Sequence, residues 1–81
     1  MNAISDFLGL VDAYKAATGS SDTTVSSRVF TDATKVRAMR EGADITTKRM
    51  AAAIEWFSKN WPSGAKWPET ITRPYVDSGA A

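Results

Sequence analysis

Gly19-Ser20-Ser21-Asp22-Thr23-Thr24-Val25-Ser26-Ser27-Arg28 is the stretch on which the reading of this chain turns. It lies between an amphipathic helical pattern and a basic one. A glycine supplies the left-handed residue that commonly ends a helix, and a serine follows as the cap of the next. Ser20 or Ser21 therefore starts a short helix running to about Phe30, with Asp22 in its first turn. Val25 and Val29, spaced by four, turn inward with Phe30 beside them, while Thr24, Ser27 and Arg28 point away. The β-branched threonines and valines lower helix propensity, so an extended form competes here and tertiary packing has to hold the helix.

Before this stretch, Ile4, Phe7, Leu8, Val11, Tyr14 and Ala17 recur at helical steps, which predicts a helix over residues 3–18 with Asn2 as its cap. After it, Thr31 or Asp32 caps a helix over residues 32–41 with the narrow apolar edge Ala33, Val36 and Met39, ending at Gly42. A last helix spans residues 46–61. Asp44 or Thr46 is its cap; with Thr46, Ile45 and Met50 occupy the staple positions, and Met50, Ala53, Ile54, Phe57 and Trp61 form its stripe until Pro62 stops it. The expected core is Ile4, Phe7, Leu8, Val11, Tyr14, Val25, Val29, Val36, Met39, Met50, Ile54, Phe57 and Trp61. The fold class is all-α: a small bundle of four helices with a helix-turn-helix-like core in residues 1–61 and an irregular tail in residues 62–81.

That tail holds all three prolines and two of the five glycines, a composition that predicts flexibility, with disorder after Pro74. Trp67 offers a competing arrangement. It lies six residues after Trp61, across Ser63-Gly64, and the pair can close as an aromatic clasp over the last helix.

Composition removes several function classes. With 81 residues, no cysteine and no histidine, the chain lacks disulfides, thiolate or imidazole metal ligands and the usual neutral-pH general base. The carboxylates are scattered singly, and no phosphate-binding glycine loop occurs. We expect no catalytic residues, no metal and no cofactor. Neither a signal-peptide pattern nor a membrane-spanning apolar run is present, which predicts a cytoplasmic protein with no membrane partner. Net charge is +1, distributed unevenly: residues 1–21 carry −1, residues 22–49 carry +2 and residues 50–81 balance. A mild central excess fits a weak or dimeric DNA binder better than a histone-like one.

Tyr14-Lys15-Ala16-Ala17-Thr18 followed by the Gly19 turn, then Ser20 to Phe30 with Val25 six residues after the glycine, resembles the helix-turn-helix of small phage and prophage regulators of the Cro and repressor type. The resemblance covers roughly residues 10–45. It departs from the family at Lys15, where a small residue is usual, and at Arg28, where an aliphatic one is usual and Val29 stands one place late. It implies that Ser21, Thr23, Thr24, Ser26, Ser27 and Arg28 face double-stranded DNA, with Arg28 on a guanine or phosphate and the hydroxyls mostly on the backbone. It further implies a transcriptional regulator that binds as a homodimer.

The basic set Lys35, Arg37, Arg40, Lys48 and Arg49 straddles the turn at residues 41–44. It reads either as a phosphate-gripping rim beside the second helix or as surface structure, with Lys35 and Arg37 lying over apolar edges and Arg40 paired with Asp44. Trp56 falls off the main stripe of the last helix, where it could form a dimer surface. The rival function is a small protein-binding factor, a phage-encoded inhibitor or antiactivator, using the same basic and aromatic surface against a host protein.

Overall fold

The computed structural model describes residues 3–74, so the expected Asn2 cap and the residues after Pro74 lie outside the described part. Its four helices are α1 (Ala3–Thr18), α2 (Asp22–Phe30), α3 (Lys35–Arg40) and α4 (Thr47–Lys59). No strand occurs among the described residues, so the β-branched stretch is helical. Local caps explain why. Ser21 Oγ accepts the Thr24 N–H at 3.2 Å, and Gly19 takes the left-handed conformation (φ 71°) that lets the chain reverse after α1.

The core contains Phe7, Leu10, Val11, Tyr14, Val25, Val36, Met39, Ala53 and Phe57. Ile4, Leu8, Val29, Met50, Ile54 and Trp61, expected inside, are half-buried and pack against it. Leu10, three residues after Phe7 and four before Tyr14, joins the core as well. Helix α1 meets α2, α3 and α4 through the one face formed by Phe7, Leu10, Val11 and Tyr14. Aromatic rings carry the packing from one end to the other. Phe7 meets Phe57 edge-on at 5.9 Å, Tyr14 meets Phe57 at 5.3 Å, and Trp56 meets Tyr14 at 5.8 Å. Trp56 is thus half-buried against α1.

Helix α3 starts at Lys35, later than the expected 32. Asp32 closes a tight turn instead of capping a helix, its Oδ1 accepting both the Thr34 N–H at 2.9 Å and the Thr34 hydroxyl at 2.8 Å. Thr31 ends α2 in the left-handed region (φ 59°), unusual for a β-branched residue. Helix α4 takes Thr46 and not Asp44 as its cap, with Thr46 Oγ1 accepting the Arg49 N–H at 3.2 Å, and ends two residues before Trp61, where Asn60 folds back on Trp56.

Beyond α4 the aromatic clasp is present. Trp61 and Trp67 meet edge-on at 4.9 Å around the Gly64 turn, and each indole N–H is satisfied locally, Trp61 by Ala65 O and Trp67 by Ile71 O. Arg73 locks the segment down, stacking 5.1 Å over the Trp67 ring and donating to Ser58 Oγ and to Ser58 O. Ser58, buried on α4, is the docking point. No described helix is long and apolar enough to cross a membrane.

Candidate nucleic-acid interface

Helix α2 presents two faces. Val25 and Ser26 are buried, and Val29 and Phe30 are partly so. Thr23, Ser27 and Arg28 are exposed, with Thr24 half-exposed beside them and Ser21 exposed at the cap. Ser21 Oγ also donates to Thr24 Oγ1 at 3.1 Å, so these two hydroxyls are partly spent on the cap itself. Arg28 has no carboxylate partner among the described residues. Its Nη1 donates at 3.3 Å to the Tyr14 hydroxyl on α1, which steadies the guanidinium while leaving most of its donors open.

Ser26 does not belong to this surface, and its expected contact with DNA is corrected. It is 0% exposed, and its hydroxyl donates to the Asp32 carbonyl and accepts the Val36 N–H. A small polar residue one step from Val25 can turn inward where a helix start nearby needs an acceptor. Hydroxyl chemistry was legible; its direction was not.

The five cations do not form one rim. Arg40 is committed to α1 and α2: its Nε and Nη2 grip Asp22 at 2.8 and 3.0 Å, and Nη2 also meets Asp12 at 2.7 Å. Lys15 completes the group at 2.8 Å from Asp22. Arg40 therefore does not pair with Asp44, and its charge is neutralised within the fold. The fork of Arg40, then Lys15, holds the Asp22 carboxyl below the usual carboxylate range, and Asp22 in turn raises Arg40. Arg37 is highly exposed and only loosely paired with Glu41 at 3.7 Å.

Lys35 and Arg49 gather at the other end of α2. Together with Asp44, Ile45 and Thr46 they line an open cleft of about 250 Å³. Lys35 Nζ donates to the Asp44 carbonyl at 3.1 Å, and the Arg49 guanidinium lies 5.9 Å over the Phe30 ring. Asp32 sits within reach of both cations; the Thr34 N–H and hydroxyl, followed by Arg49 and Lys35, hold its carboxyl below the usual range. Lys48 is exposed on α4 with no carboxylate partner among the described residues. No cluster of carboxylates suited to a metal ion occurs among the described residues.

Neither the family models, nor the curated proteins, nor the solved structures contain a match to this chain.

Proposed function

We propose that the chain is a small double-stranded DNA-binding protein, a transcriptional regulator of phage or prophage type, that reads DNA through the outer face of α2 and acts as a homodimer. One observation carries the reading: a capped helix, set off by the Gly19 turn, exposes Thr23, Ser27 and Arg28 together, with the arginine steadied but unneutralised. Arg28 takes a base edge or a phosphate, and Ser21, Thr23, Thr24 and Ser27 position the backbone. Lys35 and Arg49, at the end of α2 nearest Phe30, supply phosphate contacts. Ser26 and Arg40 have no part in it.

The rival, a protein-binding factor, is favoured by a different observation. Arg40 and Lys15 are neutralised internally, which leaves a modest cationic surface, and an apolar groove lies open between α1 and α4.

The experiment is a comparison of two variants on a duplex carrying the preferred site and on an unrelated one. Arg28→Ala is expected to weaken the specific complex by about 1–3 kcal/mol and to relax preference at one base position. Arg49→Ala is expected to weaken both complexes alike and to lower the salt slope by about one. Equal losses on both duplexes for Arg28→Ala would remove α2 as the reading element. Absence of any DNA complex, with capture of a defined protein from host lysate, would favour the rival.

A further inference from the structure

The solvent face of α4 carries a charge pattern with a symmetry of its own. Lys48, Ala51, Ala52 and Glu55 are all exposed, as are Asp44 just before the helix and Lys59 at its end. Counted outward from the nearer of Ala51 and Ala52, Lys48 and Glu55 stand three residues away on opposite sides, and Asp44 and Lys59 stand seven away. Each pair is of opposite sign. Two copies of α4 laid antiparallel about the Ala51–Ala52 midpoint place Lys48 opposite Glu55 and alanine opposite alanine, and bring Lys59 of each copy towards the helix start that Asp44 precedes. A two-fold interface requires this kind of self-complementarity, because each contact occurs twice with the roles exchanged.

The steric pattern agrees with the charges. Alanines at the crossing point let two helices approach at the short end of the usual interaxial range, about 8 Å. Alongside them an apolar groove of about 360 Å³ is left open, where Ile4 on α1 and Ile45 face Met50, Ala51 and Ile54. Asp44, Thr47 and Ala51 belong both to this groove and to the edge of the charged face, so the two surfaces are continuous. Among the described residues of one chain, Glu55 pairs with Lys59, 3.5 Å away, with both side chains more than half exposed. A pair of that kind is worth little and is readily exchanged for a cross-helix partner.

We propose that the α4 face centred on Ala51 and Ala52 docks a second copy of this chain as an antiparallel helix pair, with Lys48 of each copy on Glu55 of the other. The charges fix register and orientation, while the alanines and the groove edge supply the apolar contact. Lys48 is thereby an interface residue and not a DNA contact. The inference extends the homodimer part of the DNA-binding reading and rests on it for its biological sense.

Sedimentation equilibrium of the full chain without DNA tests it, so the DNA reading and the dimer can fail separately. Lys48→Glu alone and Glu55→Lys alone each create like-charge contacts twice per dimer, and each is expected to weaken self-association by about tenfold or more. The double variant Lys48→Glu/Glu55→Lys rebuilds the same pairing with signs exchanged and is expected to recover dimerisation to within about threefold of wild type. Circular dichroism keeps folding separate, since all of these side chains are exposed. A wild type that stays monomeric at every concentration overturns the proposal. So does a dimer that the single reversals leave intact, or that the double reversal fails to restore.

Discussion

Ser26 Oγ accepts the backbone N–H of Val36 at 3.0 Å while donating to the Asp32 carbonyl, so one buried hydroxyl joins the middle of α2 to both ends of the turn into α3. Helix α3 has only six residues and no side-chain cap. A helix that short is marginal alone, and the Val36 N–H would otherwise be a buried donor without a partner. Ser26→Ala is therefore expected to cost about 1–3 kcal/mol, visible as a lowered Tm. Ser27→Ala, one residue on and exposed, should stay within about 0.5 kcal/mol of wild type. Equal stability of the two variants would show that the hydroxyl is not what holds α3.

The Asp12–Arg40–Asp22–Lys15 group predicts how the fold responds to acid. The Asp22 pKa is lowered by Arg40 and then by Lys15, so its stabilising contribution is complete above the ordinary aspartate pKa of about 4 and is lost as pH falls through the lower folded value. Asp32, lowered by its Thr34 bonds, acts in the same direction. Denaturant midpoints measured from pH 6 down to about 2 should fall for wild type and fall less for Asp22→Asn. An unchanged acid limb in that variant would contradict the assignment. Arg40→Met at neutral pH should cost about 1 kcal/mol, in keeping with a partly exposed pair, and should do so less at high salt.

Thr31 holds a left-handed conformation that costs an L-residue roughly 1–2 kcal/mol. Its N–H still donates to Ser27 O, so the position needs the backbone shape and not the side chain. Thr31→Gly is expected to leave the Tm unchanged or to raise it by up to about 1 kcal/mol of stability, the relief of strain exceeding the entropy gained by the unfolded chain. A clear loss would mean that the threonine side chain makes a contribution of its own.

Trp67 closes the clasp. Because it is half-buried, Trp67→Ala should cost about 2 kcal/mol, below the 3–5 kcal/mol typical of a fully buried tryptophan. Arg73→Ala, which removes the stack on Trp67 and the bonds to Ser58, should loosen the same segment by about 1 kcal/mol and speed proteolysis within residues 62–74. An unchanged melting temperature for Trp67→Ala would detach everything after Pro62 from the core.

Much of this architecture could be read from the sequence because periodicity and caps act locally. The Phe7, Val11, Tyr14 and Phe57 positions are dictated by helical spacing, and Ser21 and Thr46 cap as their side chains allow. The misreadings differ in cause. Leu10 stands three residues after Phe7 and four before Tyr14, so helical spacing alone places it inside. Ser26 takes its role from Asp32 and Val36 across the turn into α3, and Arg40 from Asp12 and Asp22 on other helices, which no local rule specifies. Arg40 is the clearest case: Asp44, four residues away, is the partner that local spacing offers, yet Asp12 and Asp22 hold it. The candidate surface was legible in its chemistry, as Thr23, Ser27 and Arg28 show, but the division of the cations between internal pairing and open surface was not.

The proposed docking of the outer α2 face on double-stranded DNA is read out by the salt dependence of binding. Fluorescence anisotropy of a labelled duplex from the region upstream of the protein's own coding sequence, titrated at several salt concentrations, reads the number of phosphates neutralised. We expect a linear fall of log K with log salt, at about −0.9 per phosphate contact, and tighter binding to this duplex than to a scrambled one at every salt concentration. Binding that is absent at low salt, or identical on the two duplexes, would contradict it.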